Sequence, residues 1–188
     1  MKPGDVRYVD VDHSGTIDEK DKVDLGHPTP DFTFGFNINL AYKNFDLSVN
    51  ANGVIGNKIV QSYRNQTDAK QNYTTAILSR WHGEGTSNRI PRVTETNINW
   101  QFSDLYMQDG DFLRITNITL GYDFSKLIRC KYISQLRLYA QVQNAFTFTK
   151  YDGMDPEVGW GDNDFGSGID LGMYPRARTF LMGVNIKF

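Results

Sequence analysis

The chain has a single cysteine, Cys130, in 188 residues, so no disulfide framework can form within it and cysteine does not fix the compartment. It lacks any run of about 18 apolar residues, which excludes a membrane-spanning helix but leaves strands open. Neither sign of charge is in surplus: 20 Lys+Arg stand against 22 Asp+Glu, a formal −2. An electrostatic nucleic-acid binder carries a basic surplus or stripe, so that class drops out. Met1–Tyr8 has no charged-then-apolar leader, and as a complete gene product the chain would have no route out of the cytoplasm. A catalytic constellation is missing as well. His13, His27 and His82 show no metal-ligand spacing, and the Gly83–Gly85 pair lacks the strand-to-helix setting and the Lys of a phosphate loop. Glu157, Asp162, Asp164 and Asp170 share one loop and read as solvated acids, since no His or spacing constraint joins them. Cys130, between Arg129 and Lys131, reads as a lone structural thiol. An enzyme is not expected.

What is present is 39% hydrophobic and 13% aromatic residues, too rich for a disordered chain. Residues 1–31 are acidic and turn-rich; from Phe32 a period of two takes over. Phe34, Phe36, Ile38, Leu40 and Tyr42 alternate with Thr33, Gly35, Asn37, Asn39 and Ala41, which predicts a strand over Phe32–Tyr42. Lys43-Asn44 is a two-residue turn, and Phe45, Leu47, Val49 and Ala51 continue the apolar face in a second strand. Asp111–Phe124, Gln135–Phe148 and Phe180–Phe188 repeat the pattern. Between them, Gly53–Gly110 reads as loop with a short helix within Asp68–Trp81, and Lys150–Arg176 as a long Gly- and Asp-rich loop.

Alternation alone fits two architectures: a soluble sandwich with its polar side in water, or a membrane barrel with its apolar side in lipid. Three features favour the barrel. The strands run to about 10–14 residues, longer than the usual five or six. Short connections alternate with long ones, as in barrels with brief periplasmic turns and extended external loops. The last strand closes on an aromatic, with Phe180, Met182, Val184, Ile186 and Phe188 at every second position, the assembly signal pattern of outer-membrane barrels. With Phe188 in the periplasm, strand counting places residues 1–31, Gly53–Gly110 and Lys150–Arg176 outside. Five strands cannot close a barrel that needs about eight, so the chain is expected to be the C-terminal part of a larger all-β protein: residues 1–31 an acidic loop, 32–188 antiparallel barrel strands and loops.

Within the acidic loop, Asp10-x-Asp12-x-Ser14-Gly15-x-Ile17-Asp18-x-x-Asp21 matches a calcium-loop template. Asp10, Asp12, Ser14 and Asp21 offer oxygens around one turn, Thr16 its carbonyl, and Asp18 acts through water; Gly15 permits the bend and Ile17 anchors inward. Ca2+ is the expected ion. Asp21, where Glu is usual, resembles dockerin-type loops. Trp81, Trp100 and Trp160 fall in the outside segments. Their flat rings suit sugar stacking, and equally loop packing or contact with a partner, the commoner use of such aromatics.

Several stretches together resemble the SusC/RagA family of TonB-linked outer-membrane transporters. They are Gly4-Asp5-Val6-Arg7-Tyr8-Val9-Asp10 with Asp12 and Gly15; Arg80-Trp81 with Gly85-Thr86-Ser87-Asn88 and Ile90-Pro91-Arg92; and Phe112-Leu113-Arg114-Ile115 with Leu120-Gly121-Tyr122. Further on come Gln143-Asn144, Phe146-Thr147-Phe148-Thr149-Lys150-Tyr151, Gly153, Asp155-Pro156-Glu157, Tyr174-Pro175 and Arg178-Thr179-Phe180. The resemblance spans nearly the whole chain in the family's order and covers only the C-terminal barrel portion. It implies an importer of glycans or peptides across the outer membrane of a Gram-negative cell, with a plugged barrel of about 22 strands. It also implies a SusD-like surface lipoprotein as lid, and energy from TonB acting on parts outside this stretch. The rival reading is a soluble extracellular, calcium-stabilised β-sandwich that binds carbohydrate.

Overall fold

In the computed structural model the described residues are 2–63, 72–95, 99, 101–128, 132–158 and 168–188. Five long strands form one antiparallel sheet: β1 Phe32–Tyr42, β2 Phe45–Ile55, β5 Phe112–Asp123, β6 Gln135–Thr149 and β8 Thr179–Lys187, in the order β1-β2-β5-β6-β8. Each is a segment whose alternation predicts a strand, and the β1–β2 hairpin turns at Lys43-Asn44 as expected, pairing Tyr42 with Phe45. No second sheet packs on either face of it among the described residues.

Register aligns the apolar residues strand by strand. Ile38, Val49, Ile118 and Val142 form one row, and Val142 faces Phe180; Leu40, Leu47, Leu120 and Ala140 form the next, and Ala140 faces Met182. These side chains are largely bare: Leu120 is 50% exposed, Phe180 73% and Met182 90%. In water an apolar face of this extent is costly. In hydrocarbon it is the natural surface.

Aromatics bound the bare face above and below. At the short-turn end Phe45, Tyr122 and Phe124 pack edge to face, with centroids 4.6 Å apart in each pair. At the other end Phe32 stacks near Phe34 at 6.0 Å and Phe146 near Phe148 at 6.4 Å. Phe32 to Tyr42 is roughly 34 Å of strand, or about 26 Å of height at a tilt near 40°, the depth of a barrel's apolar band between its aromatic girdles.

The opposite face is polar: Asn37, Asn39, Ser48, Asn50, Asn117, Thr119, Gln141 and Gln143 share it. Near the short turns Arg137 of β6 reaches across β5 to Asp46 of β2, with Nε 2.8 Å and Nη2 2.5 Å from its carboxylate oxygens. The strand between contributes Gly121, where any Cβ would collide with both partners.

The alternation of β5 is broken once. Carried unbroken from Tyr122 to Phe112, it would put Arg114 on the lipid-facing side. The register slips between Asn50 and Ala51 of β2, leaving Thr116 as an extra residue on β5. This bulge turns Arg114 onto the polar face, paired with Asn52. Thr116 Oγ1 donates to the Asn50 carbonyl at 3.1 Å. A second irregularity on β6, at Asn144 with φ 50, follows from the same slip.

The long connections are more ordered than their sequence suggests. β3 Lys58–Gln61 and β4 Met107–Asp109 pair antiparallel, and β3 pairs in parallel with β7 Ile169–Asp170. Strands of two to four residues are too short to show a period, and their partners lie far along the chain. The expected short helix in Asp68–Trp81 is a single 3-10 turn, Thr75–Ser79; residues 64–71 lie outside the described residues.

The two faces make opposite demands on a new charge. Leu120→Arg is expected to destabilise the assembled barrel by about 2–4 kcal/mol, and Thr119→Lys, one residue away on the polar face, by well under half of that. Heat-modified migration of the refolded full-length protein on gels measures both; equal losses would contradict the assignment of faces.

Candidate functional site

At the long-connection end, the polar face of the sheet and the loops above it are joined by buried charge. Arg114 is 2% exposed. Its Nη2 lies 2.5 Å from Asp155 Oδ1 and its Nη1 2.8 Å from Glu157 Oε2, while Nε donates to Thr147 Oγ1 at 3.1 Å. Arg176 Nε approaches the same Glu157 oxygen at 3.1 Å. Asp155 also accepts the backbone N–H groups of Glu157 and Arg176, at 2.9 and 3.2 Å. Burial alone would raise the Asp155 carboxyl; those N–H groups and the Arg114 guanidinium outweigh it and hold the group below its ordinary value.

Two loop acids expected to be solvated are structural instead. Glu157 is held by two arginines, and Asp170 is fully buried on β7, accepting from the Tyr151 hydroxyl and, at 2.8 Å, from the Gly172 N–H. Burial and the adjacent carboxylate push the Tyr151 hydroxyl well up from its usual range. The signal in the sequence was Arg114, an arginine inside a membrane strand that requires a buried counter-ion. Asp162 and Asp164 lie outside the described residues.

The opening segment docks onto the long connection. Arg92 Nε pairs with Asp5 Oδ1 at 2.6 Å, Arg92 N donates to Gly4 O at 2.8 Å, and Val6 N donates to the fully buried Asn99 at 2.8 Å. Asp5 is held below its usual value: burial opposes this, and the Arg92 bond and the Lys2 N–H prevail. Gly4, at φ 86, lies directly against the Trp81 ring, where a side chain would not fit. Trp81 therefore packs on backbone, at the wall of a cleft of about 610 Å³ that Arg7, Arg89, Asp104 and Met107 also line. Trp100 and Trp160 lie outside the described residues, as does Cys130.

Of the calcium-loop residues, Asp10, Asp12 and Asp21 converge, with one oxygen of each within 4.8 Å of the others. Backbone N–H groups orient them: Ser14 and Gly15 donate to Asp10, Val11 and Asp18 to Asp21. The Asp18 and Val11 N–H groups hold the Asp21 carboxyl below its usual value. Ser14 Oγ turns to the Thr16 carbonyl at 3.1 Å, and Asp18 accepts from Lys20 N at 2.8 Å in a capping box. Ile17, expected to anchor inward, is 41% exposed instead. Three carboxylates form a hard-oxygen set that fits Ca2+, with Ser14 and Thr16 oxygens adjacent.

Removing Arg114 leaves Asp155 without a counter-ion and Glu157 with Arg176 alone, so Arg114→Gln is expected to cost about 3–5 kcal/mol, measured as a lowered unfolding temperature of the purified full-length protein. Because Asp155 is depressed, its contribution is complete above the ordinary carboxylate range. It fades as pH falls through the lowered value, below about 4. Acid proteolysis should therefore open residues 150–158 in that window and not at pH 6; cleavage that ignores pH would contradict the cluster's role.

A scan against protein-family models gives no match. The TonB-dependent receptor P3 of Formosa agariphila is 36% identical over 195 aligned residues, covering 99% of this chain and 19% of that protein. The TonB-dependent receptor SusC of Bacteroides thetaiotaomicron is 35% identical over 192, covering 100% and 18%. The chain thus spans about a fifth of the length of the curated relatives it matches. Among solved structures, the RagAB peptide transporter superposes with a TM-score of 0.70 at 24% identity, over 86% of this chain and 17% of that one, a likeness of fold. The open-edged, two-faced sheet is then explained: the chain belongs to the SusC/RagA family of TonB-linked outer-membrane proteins, and its five long strands are part of that family's membrane β-barrel.

Proposed function

We propose that this chain supplies wall and external loops to an importer of glycans or peptides, covered by a SusD-like surface lipoprotein and driven through TonB. The observation that carries the reading is the bare apolar face backed by a polar one, in a chain 35% identical to a SusC. The fold likeness to a peptide transporter makes peptides the second substrate class to test. In this reading the long connections face outward, where the Arg114 cluster and the small sheet hold their bases. Trp81 then stands on the side of lid and substrate, and Trp100 and Trp160 belong to the same long connections in the sequence.

The acidic loop is a calcium site in the same reading, held by Asp10, Asp12 and Asp21 with Ser14 and Thr16. Bound calcium would clamp three like charges whose mutual repulsion otherwise loosens the turn.

Deleting the full gene should abolish growth on one glycan or peptide class and leave glucose growth intact, with a surface lipoprotein co-purifying from the complemented strain. Unchanged growth on every oligosaccharide and peptide supplied would overturn the importer. For calcium, protease should cut residues 10–21 of the purified transporter about tenfold more slowly with the ion than with chelator, and Asp12→Asn should remove the difference. Equal rates would sink the metal site.

A further inference from the structure

Above the outer aromatic girdle the wall carries a cation with no carboxylate partner among the described residues. Arg178 directly precedes β8, whose Phe180 and Met182 lie on the lipid-facing side. Its guanidinium carbon lies 5.4 Å from the centre of the Phe146 ring, on that same face. Cation and ring hold each other at the level where hydrocarbon gives way to head groups.

Beside it the wall has a notch. β8 begins at Thr179, opposite Gln143, whereas β6 continues to Thr149, so among the described residues the upper part of β6 has no strand partner on that side. The chain before β8 crosses this gap, tied by Asn144 Nδ2 to the Ala177 carbonyl at 2.9 Å. Behind the gap, on the polar side where Arg114, Thr147 and Asp155 stand, lies a cleft of about 340 Å³ that Asn144, Arg176 and Arg178 also line. Asp155 and Glu157 neutralise Arg114 and Arg176. The third guanidinium leaves one positive charge over, next to exposed Phe146 and Phe148, at 50% and 56%.

A guanidinium fork suits phosphate, and the rings beside it suit acyl chains rather than a soluble anion. We propose that Arg178 and this notch bind the phosphorylated head group of an outer-leaflet glycolipid, whose acyl chains lie along Phe146, Phe148 and Phe180. The choice of leaflet rests on the outward orientation proposed above.

The test uses the full transporter, purified from outer membranes and exchanged into detergent, with co-purified lipid A counted by native mass spectrometry. Arg178→Gln should reduce the retained lipid A about fivefold, the effect of one cation at an anionic surface. Arg178→Lys should retain more than the Gln variant, and dephosphorylated lipid A in phosphatidylcholine nanodiscs should not be held. Unchanged retention in Arg178→Gln would overturn the site, as would displacement by millimolar inorganic phosphate alone, which marks a soluble-anion site. Retention of phospholipid in place of lipid A would put Arg178 in the other leaflet and overturn the assignment. Labelling the Glu84→Cys variant with a membrane-impermeant thiol reagent from outside intact cells reads the orientation separately.

Discussion

A buried arginine decides how this sheet is built. Leaving the Arg114 guanidinium in hydrocarbon would cost several kcal/mol, and leaving it unpaired in protein about as much. The chain avoids both with one extra residue. Thr116 bulges out of β5, the strand's parity reverses, and Arg114 turns from the lipid side to the polar side, where Asp155 and Glu157 meet it. Bulge, ion cluster and loop base are one device. Without the carboxylates the turned arginine has no partner, and without the bulge the loop has nothing to hold.

The same two-solvent constraint explains why the polar face is rich in amides and not in free charge. Asparagine and glutamine can donate and accept along a strand, so neighbours such as Asn37, Asn39 and Asn50 satisfy one another without counter-ions. Near the short turns a charge pair does reach across strands, and Asp46 with Arg137 can close only because β5 offers Gly121 between them. Each strand thus contributes three things at once: apolar residues to lipid, amides to the lumen, and at a few positions a space for its neighbours' side chains.

The long strands were legible because period two over ten residues carries information that no loop mimics. Phe32–Tyr42 and the turn at Lys43-Asn44 could be bounded to the residue. The bulge was not legible, since Thr116 differs from no other threonine in sequence and its role depends on Asn50 across the ladder. Nor was the small sheet, whose strands find partners about fifty and a hundred positions away. Glu157 and Asp170 of the last loop depart from expectation for a related reason: loop acids are usually solvated, and these two meet partners, Arg114 and Tyr151, that the fold places beside them. In the calcium template the acidic spacings did bring Asp10, Asp12 and Asp21 together, because a tight turn is a local property. Ile17, whose burial needs something distant to pack on, stayed exposed.

The small sheet also ties the two long connections to each other. β3 belongs to the first and β7 to the last, and their parallel pairing is backed by Ile59, Tyr151 and Val158, the buried cluster under them. Gln61 and Gln108 of the first connection both reach Asp152 of the last, and Arg114 fixes that last connection to the wall. A displacement at the base of either connection must therefore strain the other and the strand beneath. Loops joined this way move as a unit or stay still.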